Sequence, residues 1–480
     1  MRQKRTGSSR IVWIANLFGQ IINCWWNPPE RRPVMSTNSN QQKEFQELAD
    51  WVIDQTKKAG ANDCKVRLSK NRFVEINYRD RKPEVIKEAT TQGLNLQVFI
   101  NNRYASQSTP DFRKSTLSGF ITDVIESAKI MEEDPFRTLP DPKYYTGRSN
   151  YDLQLADPDQ DKLSPERRHE MVKAVEDACL KKGGNKVISV EAGEYDETYE
   201  EYVKSSNGFE GANRTTQCWT GASMTAQDEG DRRPAGYNWV GCRYRGDLPS
   251  LQEVGNLAAI RTLDLLGGKK IETETLPVII ENRVVGQVLG GLQGPMSAGS
   301  IQQKRSFLAD KKGQQIGSKL LTLQDDPFLV RGLGSKYYDG DGFPAKKRNL
   351  FTEGVLNEFL VDWYYSRKLG WEPTSGSISN LILPPGSRSV DEIVKDLGRC
   401  ILITDFIGGN SNSTTGDFSI GIIGKLFDNG KFVQNVAEMN MADNHLKFWH
   451  KLTEVANDPF IYSSLKVPSL VFDDVVIAGI

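Results

Sequence analysis

PVIIENRVVGQVLGGLQGPMSAGS, residues 277–300, is the stretch on which the reading of this chain turns. Pro277 to Ile280 read as a short buried strand, and a helix follows with Asn282 as its N-cap. Val284, Val285, Val288, Leu289 and Leu292 recur at helical spacing and make one apolar face. Gly286, Gly290 and Gly294 recur every fourth residue, with Gly291 beside them. Each costs about 1 kcal/mol relative to alanine in a helix interior. Such a row needs a reason, and close approach of another segment supplies one. Read this way, a leucine at Gly290 would overpack the site.

Around this stretch lies an ordinary globular composition. The chain has 480 residues, enough for two to four domains, with 38% hydrophobic and 26% charged residues. A formal net charge of −1 leaves no electrostatic footprint for nucleic acid. Six scattered cysteines form no CxxC pair, which argues against a disulfide framework and for a reduced, cytoplasmic setting. Three histidines, His169, His445 and His450, limit metal chemistry. No GxSxG element is present to mark a serine nucleophile.

Residues 1–34 differ from the rest. A basic start precedes IVWIANLFGQIINCWW, which has the outline of a signal peptide without a small-residue cleavage site. The run is shorter than the roughly 20 residues that span a bilayer. Met35 opens a polar segment suited to a cytoplasmic N-terminus. Residues 1–34 therefore read as an extension outside the fold, with a targeting segment or a surface helix as the other readings.

A helix is expected over 42–58, ended by Gly60. Four strand-like runs follow, CKVRLS, RFVEINY, EVIKEATT and LNLQVFI, separated by polar breaks that include Gln92-Gly93. A second helix spans roughly 111–132. Helix, antiparallel meander and helix make an α+β signature. After a Pro-, Asp- and Tyr-rich connector, Ser164-Pro165 starts a helix, with His169 expected among solvated charges. Residues 186–246 alternate as strands, and the acidic run Glu194 to Glu201 reads as a solvated strand face. A helix over 251–266 ends at Gly267-Gly268.

Beyond the central stretch, Asp339-Gly340-Asp341-Gly342 reads as a turn rather than a calcium loop. RNLFTEGVLNEFLVDWYYSRKLG reads as a hairpin turning at Glu353-Gly354, then a helix. Ser389 to Leu397 is a short helix, and ILITDFIGG is a buried strand. The polar loop 408–417 is no phosphate loop, since no lysine follows Gly416 and Asp417 would repel phosphate. Asn429-Gly430 marks a hairpin. DNHLKFWHKLTEVAND is expected to be a helix carrying His445, His450 and Glu454, with surface or packing roles. SLVFDDVVIAG is a final strand.

These elements resemble the TldD/PmbA family, whose members have been labelled modulators of DNA gyrase and resemble a peptidase of two related subunits. The resemblance covers about residues 40–480. It is most specific in 277–330, 345–370 and 400–438, where Lys304, Ser306, Phe307 and Thr415-Gly416-Asp417-Phe418-Ser419 match family elements. The TldD-type subunit of the family carries His-Glu-x-x-x-His on the central helix and a cysteine ligand near its C-terminus. Aligned through Gly294, this chain has Gly290, Gly291 and Pro295 at those helix positions, and no cysteine after Cys400. Neither glycine nor proline offers a side-chain ligand or base. The resemblance is therefore to the PmbA (TldE)-type subunit, with no catalytic or metal residue of its own. It places the His445 segment away from the zinc helix.

The resemblance implies a division at 1–34, 35–145, 146–270 and 271–480: extension, α+β domain, β-rich middle region with flanking helices, and peptidase-like domain with the central glycine-rich helix. It implies no cofactor in this chain, zinc in a TldD-type partner subunit, and an extended peptide as substrate. The family role is cleavage of extended or unfolded peptides, including modified-peptide precursors and antitoxins. Gln287, Gln293, Asn412, Thr414 and Asp417 are the substrate-side candidates. No nucleic acid or membrane partner is expected. The alternatives are a non-proteolytic regulator of a partner such as gyrase, or a homodimer with an unrecognised hydrolytic site.

Overall fold

Alternation along one long strand organises the first half of the molecule. The computed structural model describes residues 40–479, so the extension 1–34 lies outside the described residues. Helix α1 (Asn40–Lys58) leads into β1 (Asp63–Arg79), β2 (Lys82–Ile100) and β3 (Arg103–Thr109), then α2 (Lys114–Ile130). The four strand runs expected before α2 are two continuous strands. Pairing runs unbroken through Ser69 opposite Gly93 and Lys70 opposite Gln92. The real turns are Asp80-Arg81 and Asn101-Asn102, both residues of each having positive φ, as two-residue hairpins demand.

Helix α3 (Pro165–Gly183) starts with Ser164 accepting from the Arg167 N–H and Pro165 at its first position. Strands β4 (Val187–Ser205), β5 (Glu210–Ala226) and β6 (Ala235–Cys242) follow, then α4 (Leu251–Leu263) with a capping box of Ser250 and Glu253. One antiparallel sheet of order β3-β2-β1-β4-β5-β6 results. Even-numbered residues of β1 face the helices. Cys64, Val66 and Leu68 pack with α1 and α2; Val74, Ile76 and Tyr78 pack with α3 and α4.

Between these two apolar clusters lies a buried ionic one. Glu194 and Asp196 are 2% and 3% exposed. Arg245 binds both carboxylates, and Arg168 donates from Nε to Asp196 Oδ2 at 2.8 Å. Burial pushes the Glu194 carboxyl up to about 7 against the pull of Arg245. The expected solvated acidic face is thus corrected in part: Glu194 and Asp196 are buried and paired, Glu201 is buried against Arg67, and Glu200 is half-buried. His169 is half-buried beside the exposed Arg167 and Glu170. Its Nδ1 lies 3.1 Å from the buried Tyr78 hydroxyl.

The second half is built on β7 (Glu274–Ile280), α5 (Val285–Gln293) and α6 (Ala298–Gln302). Next come β8 (Leu323–Asp325), β9 (Arg348–Thr352), β10 (Val355–Leu356), α7 (Trp363–Leu369), β11 (Leu381–Ile382) and α8 (Val390–Asp396). The chain closes with β12 (Arg399–Ser411), β13 (Asp417–Asp428), β14 (Lys431–Asn444), α9 (His445–Phe448), β15 (Leu452–Val455), β16 (Leu465–Lys466) and β17 (Leu470–Ala478). A six-stranded sheet has the order β14-β13-β12-β7-β17-β15, and a five-stranded one β10-β9-β8-β11-β16. Val278 and Ile280 of β7 pack in the cluster that holds α5, while Ile279 packs with Ile393 and Val394 of α8. Covered on both faces, β7 reads as an uninterrupted apolar run. Helix and strand are mixed throughout, the α+β class expected.

Replacing Arg245 by alanine would leave the buried Glu194 without its cation and Asp196 with Arg168 alone. We expect Arg245→Ala to cost about 3–5 kcal/mol of stability, measured by denaturant unfolding at neutral pH.

Candidate functional site

Helix α5 presents two unlike faces. Val285, Val288, Leu289 and Leu292 are buried in the core of the second half. On the other side Gln287, Gly290 and Gly294 are exposed. Asn282 is not the cap: the cap position is Val284, without a side-chain bond. Asn282 instead ties two distant segments, its backbone N–H donating to Ser469 Oγ at 3.0 Å and its Nδ2 to Asp458.

The glycines serve different purposes. A Cβ on Gly286 would come 2.8 Å from a Leu465 methyl. A Cβ on Gly291 would enter the imidazole of His445. Gly290 meets no atom within 4 Å, so the expected close packing there is corrected to open space. Gly294 is nearly as open, with Ser413 Oγ at 3.7 Å. Gly290 and Gly294 therefore keep a bare floor, whereas Gly286 and Gly291 make room for packed neighbours.

His445 is the residue the sequence reading set aside. It is 1% exposed and sits against α5, not apart from it. The expected helix around it is one turn, α9, followed by a tight turn and β15. His450 is exposed, and Glu454 lies on β15 bound to Arg388 at 3.0 Å. The two histidines do not converge. The His445 ring lies parallel to Phe307, with centroids 5.7 Å apart, and packs on Phe418 at 4.7 Å. Trp449 Nε1 donates to its Nδ1 at 3.3 Å. The neutral ring then carries its proton on Nε2, which donates to Ser411 Oγ at 3.1 Å. Burial pushes its pKa down to about 4, partly opposed by Asp443. A neutral ring with Nε2 protonated cannot take a proton from Ser411, so the pair is not a nucleophile with its base.

The loop after β12 folds on itself beside the floor. Asn412 Oδ1 accepts from the Thr414 and Thr415 N–H groups at 2.9 and 3.3 Å. Asp417 accepts from Thr415 Oγ1 at 2.7 Å and from Asn444 Nδ2 at 2.8 Å, which holds its carboxyl below the usual range. The Phe307 N–H binds the Ser413 carbonyl at 2.9 Å, fixing the loop to the segment after α6. Of the substrate-side candidates, Asn412 and Asp417 have their side chains engaged in the loop. Gln287 and Thr414 are exposed, and Gln293 is half-buried. Ser411 went unnoticed as a site residue, and His445 was expected only in a surface or packing role. The four-residue spacing of His445 and Trp449 was the available signal.

Zinc does not fit this site. Positions 290, 291 and 295 carry no donor side chain, and both ring nitrogens of His445 are committed to hydrogen bonds. Among the described residues no three His, Cys, Asp or Glu side chains gather where a metal ion could be held.

Two outcomes follow. Gly291→Ala should cost about 1–3 kcal/mol by displacing a buried ring, whereas Gly290→Ala should stabilise by up to about 1 kcal/mol; thermal unfolding separates them. The His445 contribution has a defined pH window. Its folded pKa lies below its unfolded one, so the stability is full above about 6.5 and is lost as pH falls through about 4. That loss amounts to ~3 kcal/mol, and His445→Gln should flatten the curve of urea stability against pH over this range.

Residues 64–128 match PmbA/TldA metallopeptidase domain 1, residues 158–266 the central domain, and residues 273–479 the C-terminal domain. The metalloprotease PmbA of Escherichia coli O157:H7 is 27% identical over 450 residues, which cover 93% of this chain and 98% of that one. A solved Bacteroides thetaiotaomicron protein, described as a candidate modulator of DNA gyrase, is 35% identical with a TM-score of 0.89. The match covers 93% of this chain and all of that one. TldE from Thermococcus kodakarensis shares the fold, with a TM-score of 0.79 at 19% identity over 90% of this chain and 100% of that one.

Proposed function

The chain belongs to the TldD/PmbA metallopeptidase family, and from that premise we propose that it is the non-metal-binding, PmbA (TldE)-type subunit of a two-component peptidase. One observation carries this reading: the His445 imidazole occupies the volume that a side chain at position 291 would need. A zinc peptidase requires a metal-bound water, a base and a shaped, dry chamber. Here the base position is bare and filled from outside, and its neighbours at 290 and 295 hold no ligand. The zinc and the base then belong to a TldD-type partner. This chain supplies part of the chamber wall.

The substrate in this reading is an extended or unfolded polypeptide. Strand β12 pairs with β7 only over Ile401–Ile403, while β13 pairs with its other side along most of its length, with breaks after Ile403 and Ile407. Among the described residues no strand occupies the remaining edge, Asp405–Ser411. Such an edge can hold a peptide as an added strand through backbone hydrogen bonds. It ends at Ser411, beside the glycine floor. A homodimer of this chain would be a resting assembly. No helix among the described residues is long and apolar enough to cross a membrane, and we place the complex in the cytoplasm.

The test uses a fluorogenic unstructured peptide and three samples: this chain, a TldD-type subunit, and both together. Cleavage is expected to need the mixture, or to rise severalfold in it, and to be abolished by a zinc chelator. Chelator-insensitive cleavage by this chain alone would overturn the assignment.

A further inference from the structure

Helices α1 to α4 all lie on the face of the first sheet made by the even-numbered residues of β1. Among the described residues no helix covers the opposite face, and Glu197 of β4 stands near its middle. Directly opposite Glu197 in register are Phe73 on β1 and Gln217 on β5. Tyr195 is two residues along β4, with Trp219 opposite it on β5.

This carboxylate is held but not neutralised. Asn71 Nδ2 donates to Glu197 Oε1 at 2.7 Å, and Gln217 Nε2 donates to Oε2. Trp219 Nε1 in turn donates to Gln217 Oε1 at 3.4 Å. Its neighbours on this face have cations: Glu201 pairs with Arg67, Glu191 with Arg79, and Glu75 stands opposite Lys87. Among the described residues no ion pair reaches Glu197.

Aromatic rings border it, and glycines make room for them. Phe73 and Tyr195 stack with centroids 6.1 Å apart and planes 26° apart. A Cβ on Gly241 would enter the Trp219 indole, and one on Gly221 the Trp239 indole, so both rings lie down on the sheet. All four rings and Glu197 are half-buried. Lys87 of this same chain already sits over Phe73 at 4.8 Å, which shows that the rings accept a cation.

We propose that this face docks a lysine or arginine side chain of an extended polypeptide, with Glu197 as its counter-ion and the flanking rings as its walls. A carboxylate fixed by two amide donors, with the Tyr195 hydroxyl also directed at it, is pre-oriented and keeps lone-pair capacity for an incoming N–H. Amides contribute no charge, so the missing partner is cationic. Arginine suits the site best, since its plane can lie against the rings while its N–H groups reach the carboxylate. The choice of a polypeptide rests on the function proposed above; a neutral sugar stacked on the same rings is the competing occupant.

The test measures fluorescence anisotropy of the full chain, without any partner subunit, against two labelled 12-residue Gly/Ser peptides. One carries two arginines and the other two glutamines in their place. The arginine peptide should bind at least tenfold more tightly, with the difference shrinking as salt rises. Glu197→Gln, which keeps the side chain's shape and removes its charge, should abolish the difference. Equal binding of the two peptides, arginine preference undiminished in Glu197→Gln, or binding of a neutral oligosaccharide in place of the arginine peptide would each overturn the proposal. Salt dependence and peptide preference are read on the unaltered chain, so a variant that fails to fold does not spoil the test. Because no cleavage is measured, loss of this site and loss of the peptidase reading are separate results.

Discussion

His445 and a side chain at position 291 compete for one volume, and much of the second half of the molecule is arranged around the imidazole having it. The ring lies between Phe307 and Phe418, takes a hydrogen bond from Trp449 and gives one to Ser411. Those partners come from the segment after α6, from β13, from the turn after α9 and from the end of β12. One buried ring thus fixes where four pieces of chain meet α5. Because burial keeps the ring neutral, it acts as a packing element with two directed bonds, not as a charge.

The same helix shows why identical residues need separate accounts. Gly291 yields space to a packed ring, Gly286 yields it to a methyl group, and Gly290 faces nothing. The row of Gly286, Gly290 and Gly294, with Gly291 beside it, suggests one cause, but helical geometry turns these positions to different neighbours. The floor left at Gly290 and Gly294 borders the loop after β12, whose own polar groups are largely spent on holding its shape.

Local chemistry was legible in the sequence. Ser164 caps the helix that begins at Pro165, and Asn429-Gly430 and Glu353-Gly354 turn the hairpins with positive φ. The central strand and the apolar face of α5 followed from periodicity. What failed depended on distant partners. Gln92-Gly93 looks like a break until Ser69 and Lys70 pair with it. The acidic run looks solvated until Arg245 and Arg168 arrive from elsewhere. Asn282 looks like a cap until Asp458 claims its amide. In the site, the missing ligands could be read residue by residue, whereas the ring that fills their place could not. Contact between position 445 and position 291 is set by the fold of β12 to β14.

β1 passes beneath both helical layers of the first sheet. Its early residues belong to the cluster under α1 and α2, its late residues to the cluster under α3 and α4. Neither layer can come off without baring part of a strand that the other still needs. The two layers and the sheet between them accordingly behave as one cooperative unit. Amide protons at the centres of β1 and β4 are expected to exchange only when the whole unit opens, and a proteolytic cut in the 135–161 connector should leave the two pieces associated through their shared strands.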